Sequence, residues 1–131
     1  LIRRERPPLT DLRPKRIALI KPSALGDVIH SLPLLGALRH KFPDAHISWV
    51  VNRSYQSLID GHRALNETIA FDRGALKGGW RSAASASVRL ARELRRQRFD
   101  LVIDLQGLAR SALMTLATGA ARRVGLSTSR E

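Results

Sequence analysis

The 131-residue chain has no cysteine. That excludes a disulfide scaffold and a thiolate zinc site, and it suits a reducing compartment. Aromatic residues are scarce as well, 5% of the chain, and they do not interleave with the basic ones. A base-stacking platform for single-stranded nucleic acid is therefore poorly supported. No apolar run approaches the roughly 20 residues of a membrane-spanning helix. His30, His40, His46 and His62 share no ligand spacing, which argues against a metal site, and no Ser-His-Asp set can be assembled. The first residues lack the apolar stretch of a signal peptide, and a start at Leu1 rather than Met reads as a truncation.

Acidic residues are the other shortage: 11 against 23 Lys and Arg, a net charge of +12. Such an imbalance attracts polyanions, whether nucleic acid, an anionic membrane surface or a phosphorylated substrate. The excess is gathered in two places, Arg3–Arg16 and Lys77–Arg98, and in the second Arg89, Arg92 and Arg96 share one helical face. A solvated helix face is the plainest reading of that spacing.

What is present is a folding core. Apolar residues make up 44% of the chain, and a chain this long buries roughly two-thirds of its unfolded surface. Residues 1–15 carry three prolines and dense charge without periodicity, which reads as a basic extended arm. From Arg16 onward short apolar runs alternate with helical spacings. "RIALI", "HISWVV", "ETIAFD", "FDLVIDL" and "RRVGL" read as strands. Between them, "GDVIHSLPLLGALRHKF" carries Val28, Leu32, Leu35 and Leu38 at helical spacing, with Pro33 predicting a restart near Ser31. A short helix over Tyr55–Ile59 ends at Gly61. A long one over Arg81–Gln97 buries Ala83, Leu90 and Leu94 and turns its arginines outward. A last one, "GLARSALMTLATG", closes at Gly119.

This alternation predicts an α/β fold: a Rossmann-like open parallel sheet with helices on both faces. Ligands of such sheets bind beyond the carboxyl ends of the strands. Two polar strings, "KPSALGD" and "DLQGLARS", both follow strand ends and so fall on that one rim. The first has one glycine where a dinucleotide fingerprint needs three, and no Gly-Lys-Ser/Thr for a Walker loop. Ser23, Gly26 and Asp27 present a hydroxyl, a permissive backbone and a carboxylate at a helix start, which fits a helix cap or a catalytic base. In the second string Asp104 ends a strand, Gly107 opens a helix and Arg110 lies on its first turn. That fits a strand–turn–helix junction held by Asp104 as well as a binding site.

Taken together, "RIALIKPSALGDVIHSLPLLGALRHKFPDAHISWVV", "FDLVIDLQGLARSAL" and "RRVGL" resemble the N-terminal half of the bacterial lipopolysaccharide heptosyltransferases, glycosyltransferase family 9. The likeness runs over about residues 16–131. It implies a GT-B enzyme with two Rossmann-like domains across a cleft, residues 16–131 forming the acceptor-binding domain and the donor domain lying outside this chain. It implies inverting, metal-independent transfer from a nucleotide-sugar co-substrate, typically ADP-heptose and held by that donor domain, with no further cofactor. The implied acceptor is a lipid-linked anionic sugar of the Kdo-lipid A type, which predicts a cytoplasmic enzyme at the cytoplasmic face of the inner membrane, its basic arm near anionic lipids and no specific nucleic acid partner. By the same resemblance Asp27 is the general base. Lys21, Ser23, Gly26, Asp104, Gln106 and Gly107 line the cleft, and Arg110, Arg130 and Arg53 are candidates to grip the acceptor's carboxylates and phosphates. The alternatives are a non-catalytic Rossmann-like module that binds a polyanion such as nucleic acid, and a related transferase that has lost activity.

Overall fold

A computed structural model describes residues 13–22, 25–71, 78–106 and 109–125, the last segment without the side chains of residues 109 and 110. Most of the basic arm, Ser23, Gly107 and Arg130 lie outside the described residues, as does the side chain of Arg110.

Five strands form one parallel sheet: β1 (Arg16–Ile20), β2 (His46–Asn52), β3 (Glu67–Phe71), β4 (Leu101–Asp104) and β5 (Arg122–Gly125). Their order across the sheet is β3-β2-β1-β4-β5. The chain builds outward from β1 in one direction, then returns to β1's other side with β4, so the strand order reverses between β1 and β4. Ile20 pairs with both Val50 and Asp104, which aligns the carboxyl ends of β1, β2 and β4 on one rim.

The helices are α1 (Leu25–His30), α2 (Leu32–Lys41), α3 (Gln56–Ile59), α4 (Trp80–Arg96) and α5 (Ala109–Ala117), with a 3-10 turn at Arg53–Tyr55 before α3. The expected restart is there: Ser31 separates α1 from α2, and Pro33 sits in the first turn of α2, where a missing N–H costs nothing. Of the stripe, Val28, Leu35 and Leu38 are buried as the spacing requires, while Leu32 is only partly buried against the same core. Strand alternation sorts the core into two layers. Ile17, Leu19, Ile47, Trp49 and Leu101 pack with Val28, Leu35 and Leu38 on the face covered by α1 and α2. Ala18, Ile20, Val50 and Val102 pack with Leu94 of α4 and Met114 of α5 on the other. The fold class read from the alternation is the one observed.

Boundaries moved by a few residues. β4 is shorter than "FDLVIDL" suggests, although flanking backbone still bonds its neighbours: Asp100 N donates to Arg16 O at 2.9 Å, and Leu105 N to Ile20 O at 3.0 Å. Helix α4 begins one residue early at Trp80 and stops at Arg96, one residue short of the expected Gln97. Gly119 follows α5 with φ 67, the left-handed conformation that lets a helix end without a Cβ clash.

Candidate active site

At the reversal point between β1 and β4, two chain segments leave the rim side by side. Lys21 follows β1, and its Nζ donates to the Leu105 carbonyl beyond β4 at 3.3 Å. The Lys21 side chain is only 12% exposed, and its ammonium also lies 3.9 Å from Asp27 Oδ2. A nearly buried ammonium demands such partners. Lys21 thus joins the starts of the two rim loops to each other and to the first helix. Its own backbone is fixed by Trp49, whose indole N–H donates to the Lys21 carbonyl at 3.2 Å, and by the bond from Lys21 N to Val50 O at 3.2 Å.

Asp27 stands in the first turn of α1 rather than before it. Its carboxylate is 64% exposed, which leaves it open to an incoming hydroxyl. Gly26 precedes it with open space where a Cβ would project. Of the two jobs the sequence allows, the cap position is not the one Asp27 occupies. A carboxylate inside the first turn still benefits from the positive end of the helix.

Asp104 does something different. It is buried, its Oδ1 accepts from Gln106 N at 2.9 Å, and its Oδ2 accepts from Ser111 Oγ at 3.1 Å. The turn bond is the Asx geometry expected of a strand–turn–helix junction. The Ser111 bond was not foreseen, although both residues stand in "DLQGLARS". Ser111 continues a buried polar string: Thr115 Oγ1 donates to Ser111 O at 2.9 Å, and Thr118 Oγ1 donates to Thr115 O at 2.6 Å. Asp104 therefore ties the second rim loop to the first turns of α5. Gln106 lies on that loop with its Oε1 buried and without a hydrogen bond among the described residues.

The structure therefore brings Lys21, Asp27 and the loop of Leu105 together, with Gly26 and Gln106 on the segments that carry them. Arg53 is not gathered with them. It is exposed in the 3-10 turn after β2 and lines a separate groove beside β3 and α4, with Arg89 and Glu93. Arg110 lies on α5, and Ser23, Gly107 and Arg130 fall outside the described residues. No group of three His, Asp or Glu side chains suited to a metal ion occurs among the described residues.

Comparison with known proteins bears on the same segments. The model of glycosyltransferase family 9 (heptosyltransferase) matches residues 87–131. Lipopolysaccharide heptosyltransferase 1 of Escherichia coli strain K12 is 33% identical over 120 residues, which cover 88% of this chain and 38% of that protein. The enzyme of the same name from Pseudomonas aeruginosa PAO1 is 34% identical over 113 residues, 85% of this chain and 32% of that protein. Among solved structures, the E. coli heptosyltransferase WaaC with ADP-2-deoxy-2-fluoro heptose superposes with a TM-score of 0.75 at 28% identity, over 88% of this chain and 38% of that one. The chain spans less than two-fifths of the length of each of these relatives.

Proposed function

We propose that this chain, a glycosyltransferase family 9 domain, forms the acceptor side of an inverting transferase that moves a heptose from ADP-heptose to a lipopolysaccharide inner-core acceptor. The names of its relatives support the reaction class and the donor. One observation in the chain itself carries the reading: an open carboxylate, Asp27, stands at the reversal point of a parallel sheet beside a nearly buried lysine.

In the proposed step an acceptor hydroxyl attacks the anomeric carbon from the side opposite the diphosphate. The new C–O bond forms as the bond from carbon to the diphosphate oxygen breaks, and its electron pair leaves with the nucleoside diphosphate. Asp27 takes the hydroxyl proton. A base acts only within hydrogen-bond reach of that proton, so geometry decides its worth. Lys21 is the positioning residue, holding the Asp27 side of the site against the Leu105 loop. The step needs no metal, and the charge on the leaving diphosphate falls to groups of the donor side. The acceptor is an anionic, lipid-linked sugar of the Kdo-lipid A type, and the enzyme works at the cytoplasmic face of the membrane that holds it.

Asp27→Asn in the full-length enzyme tests the assignment. Because Asp27 is exposed and its ion pair with Lys21 is long, the variant is expected to keep the wild-type melting temperature. Turnover is expected to fall by about 10²–10⁴-fold, the usual contribution of a positioned base. A variant that folds and retains near-wild-type turnover removes Asp27 from the mechanism.

A further inference from the structure

Helix α4 presents a surface apart from Lys21, Asp27 and the Leu105 loop. Its buried side is narrow, with Leu94 fully enclosed and Leu90 and Ala83 partly so. The rest is basic: Arg81, Arg89, Arg92, Arg95 and Arg96 are all exposed. The one acid of the helix, Glu93, is taken up by Arg96 and by Gln97, whose Nε2 lies 2.9 Å from Glu93 Oε1. Between α4 and α5 lies an open groove of about 1130 Å³, lined by Val88, Arg92, Arg95, Arg96, Arg98 and Ala117.

Apolar side chains stand exposed among these arginines. Trp80, at the rim end of α4, is 76% exposed, with the Arg81 guanidinium 5.3 Å from its ring centre. Val88 is exposed on the same helix. Leu113, one turn before Ala117 on α5, is 67% exposed. Single exposed apolar side chains are ordinary on a solvated surface, but here they stand beside five exposed arginines of one helix. A nucleic acid groove would not gain from Val88 and Leu113, whereas an interfacial surface needs cations for headgroups together with Trp and aliphatic side chains for the acyl boundary.

We infer that the outer face of α4, with the adjoining edge of α5, docks the protein on an anionic lipid bilayer. Charge complementarity and the interleaved apolar residues choose that occupant. The surface runs about 25 Å along the 17 residues of α4. It starts at Trp80, at the strand rim that carries Asp27, because α4 descends from the end of β3 to the start of β4. A protein seated this way holds its rim beside the bilayer. The inference rests on the proposed function only in giving a lipid-linked acceptor as the reason to be there; docking itself requires no transfer.

The test is flotation of the full-length protein with vesicles of phosphatidylglycerol and phosphatidylethanolamine, with no acceptor or donor present. Binding is expected to the anionic vesicles, to weaken with salt, and to be much weaker to phosphatidylcholine. Arg92 and Arg95 both line the groove and are in no ion pair among the described residues, so Arg92→Gln with Arg95→Gln is expected to leave the fold intact. At about fivefold per cation, the pair is expected to lower partitioning by roughly 25-fold, with the circular-dichroism spectrum and melting temperature unchanged.

Trp80 gives an independent readout, since Trp49 is fully buried. The emission lost in Trp80→Phe is expected to shift to the blue on vesicle binding. No binding to anionic vesicles, undiminished binding by the arginine variant, or an unshifted Trp80 in a bound protein each overturns the assignment. Binding to a nucleic acid duplex in place of vesicles overturns it too and supports a polyanion module. The Asp27→Asn enzyme is expected to bind vesicles as the wild type does, so the docking and catalytic readings fail separately.

Discussion

The two edges of the sheet use the same kinds of residue for opposite ends. At the amino edge charged and polar side chains are consumed by the backbone. Asp100 Oδ2 accepts from Lys15 N at 2.6 Å and Arg16 N at 3.0 Å, and Asn66 Oδ1 accepts from Ile47 N at 2.8 Å. Arg39 donates to the carbonyls of Ala64 at 3.2 Å, Pro43 at 2.9 Å and Ala45 at 2.7 Å. At the carboxyl edge Asp27 is left in the open, with one ion pair among the described residues, at 3.9 Å. An aspartate with two short backbone bonds is a strut. One with a single long contact keeps its acceptor capacity for something else. Struts occur at the carboxyl edge too, Asp104 among them, but there one stands beside an open carboxylate, Asp27, on the rim where ligands of such sheets bind.

Asp27→Asn is expected to break this contrast most sharply: under the proposed role turnover should fall by orders of magnitude while thermal unfolding stays put. Arg39→Ala should do the reverse. It strips several loop carbonyls of a charged donor, and hydrogen bonds to charged groups are worth about 1.5–3 kcal/mol. A loss of about 2–3 kcal/mol is expected in urea unfolding, with turnover per folded molecule unchanged. If Arg39→Ala abolished turnover in a protein that was still folded, the division between the edges would be wrong.

Ser111→Ala probes the region between these extremes. It removes one hydrogen bond from buried Asp104 and is expected to cost about 1–2 kcal/mol. Because Asp104 also holds the Gln106 turn, a modest rise in acceptor KM should accompany the stability loss. A KM unchanged at reduced stability would confine Asp104 to the fold.

The smallest effect concerns pH. Desolvation and, next, the neighbouring Arg16 hold His46 below its ordinary value of 6.5, against the pull of Glu67. The unfolded chain therefore binds this proton more readily than the folded one. Stability falls as pH drops through and below 6.5 and is regained as pH rises. His46→Gln should flatten that part of the profile slightly, measured by melting temperature between pH 5 and about pH 8. A steeper profile in the variant would reverse the sign of the assignment.

Much of this was readable in advance. β1 is a continuous apolar run because both its faces are covered, and the stripe through Val28, Leu35 and Leu38 gives α1 and α2 away by its period. Pro33 marked the restart. The rim site was readable only as two strings that each follow a strand. Its contacts were not, because they join residues far apart in sequence: Lys21 to Leu105, and Trp49 to Lys21. A buried tryptophan needs a partner for its N–H, which is a signal in Trp49 that points to no particular carbonyl. Arg39 had no signal beyond the start of a basic "RHK", the look of an ordinary helix end.

The sequence alone determined the periodicities, and with them the parallel sheet, its two covered faces and the placing of both polar strings on one rim. Local spacing suffices there because burial repeats every two residues in a strand and about 3.6 in a helix. Only the tertiary structure decided which carboxylate is free. Asp27 and Asp104 look alike in sequence, each beside a glycine-bearing turn. Strand alternation turns Asp104 in beneath α5, where Ser111 holds it, whereas Asp27 rides the first turn of α1 with its carboxylate outward. Burial and the partner it supplies, not residue type, separate the strut from the candidate base.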